Sequence, residues 1–213
     1  MGDNSYNELV LLAGGGWSHE FDSNPLNSYL IQGNVNKLFR GGINVLLYFS
    51  DIFHKNLLHS MLQILNTDQL DINHKCNHGE NALFKICRAV NSDTILDAET
   101  IIRKMLQMGI QISPNRNKTY FNMLLLRQGY KIDKIDKIQS FKNIVKLLVQ
   151  NGAIFDDHIQ EKIQNGSNIT FDSDELKYLK NFQRMKTRFM ICGLRMRETD
   201  LLVKEMKSLN LNL

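Results

Sequence analysis

Proline is nearly absent. The 213 residues contain only Pro25 and Pro114, so little interrupts helices along most of the chain. Cysteine is scarce too: Cys76, Cys87 and Cys192 are too few and too scattered for a disulfide framework, and they point to a reducing, cytoplasmic setting. No apolar run approaches the ~18 residues of a membrane-crossing helix, so no transmembrane segment is expected. The start, Met1-Gly2-Asp3-Asn4, has no basic stretch, and its apolar run from Leu9 to Ala13 ends at three glycines, so no secretory leader is expected. An N-myristoylation signal wants Ser or Thr where this chain has Tyr6. Alanine occurs only at positions 13, 82, 89, 98 and 153, whereas Asn, Ile and Lys abound, a bias that fits an AT-rich genome.

What remains is ordinary for a folded domain, with 43% hydrophobic and 23% charged residues and a net charge of +4. The length suffices for a sizeable core. The organising signal is recurrence. Ile144 to Ala153 reads as the end of an amphipathic helix stopped by Gly152, and Ile101 to Ile110 repeats that order with Gly109. A second phrase, Gly42-Ile43-Asn44-Val45-Leu46, lies over Gly79-Glu80-Asn81-Ala82-Leu83. Each phrase predicts a turn glycine followed by a helix that the asparagine caps. A third copy, Asn117-Lys118-Thr119-Tyr120, keeps Thr119 as the capping residue and Asn117 in the turn. Self-similarity of this kind marks a repeat protein.

Turn glycine, capping residue, Leu, short inner helix, then an outer helix ending in Gly-Ala resembles the ankyrin repeat, whose motif is D-x-x-G-x-T-P-L-H-x-A-A. Gly79, Asn81, Leu83 and Ile86 fall on its glycine, threonine, leucine and first alanine, and Gly152-Ala153 on the terminal Gly-Ala of the next unit. The proline of T-P-L-H is Ala82, Val45 or Tyr120 here, and its histidine is Phe84, Leu47 or Asn122. Spacing is stretched: Gly79 to Gly109 is 30 residues and Asn117 to Gly152 is 35, which places long loops around residues 88–98 and 127–140. The resemblance covers residues 31–155 and implies an all-α fold. It comprises about three irregular ankyrin-like repeats, an N-terminal cap over 1–30 and a C-terminal helical cap over 156–213. In the latter, a helix over Asp156 to Gln164, a loop at Asn165 to Asn168, and a helix opened by Asp172 with Glu175 are expected. That last helix would bury Leu176, Leu179, Phe182, Met185 and Phe189.

Enzyme chemistry finds weak footholds. His74, Cys76 and His78 alternate and could share one face of a hairpin, but a fourth metal ligand is missing. No nucleophile signature surrounds Cys87 or Cys192; Cys87 falls where a small buried residue belongs. Gly14-Gly15-Gly16 lacks the residues of a phosphate loop. His19, Glu20 and Asp22 form a loose polar cluster outside the repeats. The reading is therefore non-enzymatic, with neither metal nor cofactor; the alternative is an enzyme whose site lies in the segments outside the repeats, at Cys192 or at His19, Glu20 and Asp22. The repeat resemblance implies a protein-binding surface of fingers and inner helices that includes Asp51, Asn77, His78, Glu80, Arg88, Asn115, Arg116, Lys118 and Arg127, with Phe84 and Tyr120 as the nearest aromatic anchors. Stretched repeats in an Asn/Ile/Lys-rich chain resemble those of intracellular bacterial pathogens and large DNA viruses, which implies an effector acting on a host protein in host cytosol. A different partner class is suggested by Lys177, Lys180, Arg184 and Arg188, spaced along one helical stripe in a stretch free of acids; such a stripe attracts nucleic acid or an anionic surface.

Overall fold

Asparagine heads two helices for one physical reason. Asn44 Oδ1 accepts the backbone N–H of Leu47 at 2.9 Å and Asn81 Oδ1 that of Phe84 at 3.0 Å. Each bond satisfies a donor that a first helical turn leaves without a partner. In the computed structural model the described helices are α1 (Asn24–Ile31), α2 (Val45–Asp51), α3 (Leu58–Leu65), α4 (Ala82–Ala89), α5 (Ile95–Gln107), α6 (Thr119–Leu126), α7 (Ile135–Gln150), α8 (Asp157–Ser167) and α9 (173–182). The structure describes residues 9–10, 12, 24–112, 119–126, 132, 134–167, 169–182 and 184–185. Two units divide the chain, residues 1–170 and 171–213. Among the described residues the fold is all-α, with one isolated bridge between Phe39 and Ile43.

In the first unit the helices stack as alternating layers. Helix α2 packs on α4, α4 on α6 and α6 on α8; in the second layer α3 packs on α5 and α5 on α7. The layers differ in composition because they differ in burial. Helix α5 buries Ile95, Ala98, Ile101, Ile102 and Met105, an apolar stripe at spacings of three and four. By contrast every residue of Val45–Ser50 in α2 and of Ala82–Cys87 in α4 is buried. Helices α2 and α4 are thus buried nearly all round, whereas the outer helix α5 buries one face.

Two connections recur at a fixed distance along the chain. Phe39 N–H donates to the Ile43 carbonyl at 2.8 Å and Gly42 N–H to that of Phe39 at 3.1 Å. Thirty-seven residues on, the separation that also relates Asp51 to Arg88, Cys76 N–H donates to Glu80 at 3.0 Å and Gly79 N–H to Cys76 at 2.8 Å. These are two copies of one hairpin finger, joined side by side where Asn77 N–H donates to the Gly41 carbonyl at 2.9 Å. Gly42 is required there twice over: its φ is +69°, and a Cβ would lie 2.5 Å from Asn77 Oδ1. An amide clamp recurs with the fingers. Asn36 accepts from Asp71 N–H at 2.9 Å and donates to the Gln69 carbonyl at 2.6 Å; Asn73 accepts from Gln111 N–H at 2.7 Å and donates to the Gly109 carbonyl at 3.2 Å. Each clamp ties one finger base to the end of the next outer helix.

The outer helices end as their glycines predict. Ile110 N–H reaches back to the Met105 carbonyl at 3.1 Å and Ala153 N–H to that of Leu148 at 2.9 Å, the closing bond of a Schellman end, with Gly109 and Gly152 at positive φ. After α3 the clamped position equivalent to Gly109 is Gln69, which adopts φ +64° without being glycine. A β-carbon costs about 1–2 kcal/mol in that region, and glycine returns about 0.4–1 kcal/mol of that through unfolded-chain entropy. Gln69→Gly should therefore raise stability by about 0.5–1 kcal/mol, read as a higher urea midpoint at unchanged slope. Gly109→Gln should lower it, and equal midpoints for both variants and the wild type would contradict the account.

Some expectations are corrected. Thr119 is the first residue of α6, not the residue before it. The loop expected at 165–168 is helix as far as Ser167, because α8 packs along α6 and that contact overrides the weak propensity of Asn165-Gly166. Asp156 caps α8 by accepting Ile159 N–H at 3.0 Å. In the second unit Asp172 and Glu175 form the reciprocal capping box: Glu175 N–H donates to Asp172 Oδ1 at 2.8 Å and Asp172 N–H to Glu175 Oε2 at 3.1 Å. Leu179 is buried and Leu176 and Phe182 are partly so, but Met185, which is still helical, is 52% exposed and lies off the buried face. Phe189 lies outside the described residues.

Candidate interaction surface

Asp51 ends α2, Lys85 and Arg88 lie on α4, and Glu80 leads into α4 from the second finger. The layer stacking brings these four together. Lys85 Nζ is 3.1 Å from Asp51 Oδ2 and 3.8 Å from Glu80 Oε2; Arg88 donates from Nη2 to Asp51 and from Nη1 to Glu80 Oε1 at 3.3 Å. The Lys85 side chain is only 5% exposed, a position a lysine holds with its charge only when carboxylates face it. Burial pushes the Asp51 carboxyl up, but the hydrogen bonds and charges of Arg88 and Lys85 outweigh it and hold it below its ordinary value. Burial likewise opposes the Arg88 charge, and Asp51 and Glu80 raise it on balance. Asp51 and Arg88 lie thirty-seven positions apart, the separation of the two fingers, with opposite sign, so the network is a joint between α2 and α4.

The two aromatic anchor candidates belong to the core. Phe84 and Tyr120 pack edge to face at 5.6 Å and are 3% and 1% exposed. The Tyr120 hydroxyl donates to Asn81 Oδ1 at 3.3 Å. Inner helices α4 and α6 stack through this pair, so neither ring stands on the surface.

Of the other expected surface residues, Asn77 and His78 are exposed at the tip of the second finger, Asp51 is exposed, and Glu80 and Arg88 are half-buried within the charge network. Asn115, Arg116, Lys118 and Arg127 lie outside the described residues. Arg40 and Lys75, both exposed on the fingers, escaped the sequence reading. Extending the G-x-N overlay two residues upstream aligns Arg40 with Asn77 and would have found Arg40; Lys75 falls opposite Leu38 and has no such signal.

The alternating His74, Cys76 and His78 diverge. His74 Nε2 lies 2.8 Å from the Gly42 carbonyl oxygen, which only accepts, so that nitrogen carries the proton. Cys76 is buried, and His78 points outward on the exposed tip. Among the described residues no group of three His, Cys, Asp or Glu side chains is arranged to hold a metal ion. Cys87 is fully buried, and burial pushes its thiol far above the ordinary range, the setting of an inert core cysteine. Cys192, His19, Glu20, Asp22 and the Gly14-Gly15-Gly16 run lie outside the described residues. On the basic stripe, Lys177 and Arg184 are exposed and Lys180 is half-buried; Arg188 lies outside the described residues. No described helix is long and apolar enough to cross a membrane.

The chain matches no family model, and no curated protein or solved structure matches it.

Proposed function

We propose that the chain is a non-enzymatic protein-interaction module of irregular ankyrin-like repeats with helical caps, acting as an adaptor, inhibitor or mimic. The observation that carries this reading is the recurrence of a whole constellation thirty-seven residues apart. Finger hairpin, left-handed glycine, capping asparagine and the asparagine of the amide clamp all return at that spacing, with inner helices stacked on inner helices. Repeats built this way bury their apolar faces on one another and present fingers and inner helices along one side. An effector role on a host protein in host cytosol follows from the sequence resemblance to pathogen and viral repeats.

Crosslinking mass spectrometry on complexes captured from host lysate tests it. Crosslinks should concentrate at Lys37, Lys75 and neighbouring finger residues. Crosslinks spread evenly over the outer helices, or capture no better than by an unrelated repeat protein, would count against it. Exposed Lys177 and Arg184 in the second unit favour a second reading, anionic-surface or nucleic-acid binding, which would show a steep loss of affinity with rising salt.

A further inference from the structure

Charge on the finger side is unbalanced. Residues 36–51 and 72–88 contain five Lys and Arg, namely Lys37, Arg40, Lys75, Lys85 and Arg88, against two carboxylates, Asp51 and Glu80. Both carboxylates are engaged by Lys85 and Arg88. Nearby Asp71 accepts the Asn73 N–H at 3.1 Å. Lys37 lies over the Phe39 ring, 5.5 Å from its centroid. Arg40 and Lys75 are exposed and make no ion pair among the described residues. The fingers that carry them are adjacent, joined by the bond from Asn77 to Gly41. Leu38, one of the few exposed large apolar side chains at 56%, lies two residues before Arg40.

We infer that the fingers bind an extended acidic protein segment. Its carboxylates pair with Arg40 and Lys75, and an apolar side chain lies on Leu38; the inference rests on the interaction-module reading above. Two exposed cations on adjacent fingers, one of which also carries the exposed Leu38, suit a carboxylate-bearing peptide, since a guanidinium meets a carboxylate in two parallel hydrogen bonds. A nucleic acid suits the surface less well. Single strands are held by exposed aromatic platforms, whereas Tyr48, Phe84 and Tyr120 on the inner helices are all buried.

Random peptides displayed on phage and selected on the full chain test the inference, with the enriched peptide then synthesised as a fluorescent probe. The enriched sequences should be rich in Asp and Glu around an apolar residue. Their binding should slow backbone amide exchange at 37–42 and 74–79, and should weaken at least about tenfold in the Arg40→Glu, Lys75→Glu double variant, whose thermal midpoint should match the wild type because both side chains are exposed. Enriched peptides that protect the fingers without excess acid overturn the acidic partner and leave the interaction module standing. Absence of any peptide that protects the fingers overturns both. A fluorescent single-stranded DNA that outcompetes the peptide, with the same dependence on Arg40 and Lys75, overturns the inference in favour of nucleic acid.

Discussion

Replacing both Asp51 and Glu80 with alanine should lower stability by about 3–5 kcal/mol, because Lys85 is then left buried with no opposing charge. Lys85→Met should cost far less or even stabilise, since it removes the charge that must be desolvated and keeps the apolar stem of a side chain only 5% exposed. Equal losses in the two variants would mean that Lys85 reaches water in solution. The same network sets an acid limit. Asp51 is held below its ordinary value, so the native state binds fewer protons than the unfolded chain around that value. Its contribution is complete above the ordinary carboxylate range, near pH 4, and is lost as pH falls through the depressed folded value. Arg88→Met removes a hydrogen bond and a charge that hold Asp51 down, and its acid unfolding should begin at higher pH than in the wild type. Circular dichroism titrations of the two proteins between neutral and strongly acid pH read that difference; superimposable acid limbs would exclude the coupling.

Capping and helix stopping are local chemistry, and they were legible. Asn44, Asn81, Gly109, Gly152 and the Asp172–Glu175 box can each be read from a few neighbouring residues, because the bonds they make span three to five positions. Outer helices were legible for a related reason, since one face of α5 or α7 meets the core and the other meets water. What escaped depends on partners far away. Lys85 reads as a solvent residue until α4 packs on α2 and brings Asp51 to it from thirty-four positions away. Phe84 and Tyr120 look like surface anchors until α6 stacks on α4 and buries each ring against the other. Gln69 gives no sign of its left-handed backbone, which Asn36 clamps from thirty-three residues upstream. Of the exposed finger positions, Asn77 and His78 were expected from the sequence. Arg40 required the thirty-seven-residue alignment with Asn77, and Lys75, opposite Leu38, had no such signal.

Asn81→Ala should cost about 2–4 kcal/mol, and Asn44→Ala, at the matching helix cap, about 1 kcal/mol or less. Both variants lose the cap bond to the third residue of the helix. Only Asn81 does more. Its Nδ2 donates to the Gln111 carbonyl at 2.8 Å, and its Oδ1 also accepts from the Tyr120 hydroxyl at 3.3 Å, so one buried amide ties the head of α4 to the segment that follows α5 and to α6. Asn44 is as deeply buried, yet its Nδ2 finds no partner among the described residues. Alanine there removes an unsatisfied donor along with the cap, and the two changes offset. Urea midpoints of the single variants give the comparison, and a cycle of Asn81→Ala with Tyr120→Phe isolates the cross-helix bond, expected at about 0.5–1.5 kcal/mol of coupling. A coupling indistinguishable from zero would reduce Asn81 to a plain cap. A measurable one makes Asn81 the residue that ties the head of α4 to α6, a bond for which Asn44 shows no counterpart among the described residues.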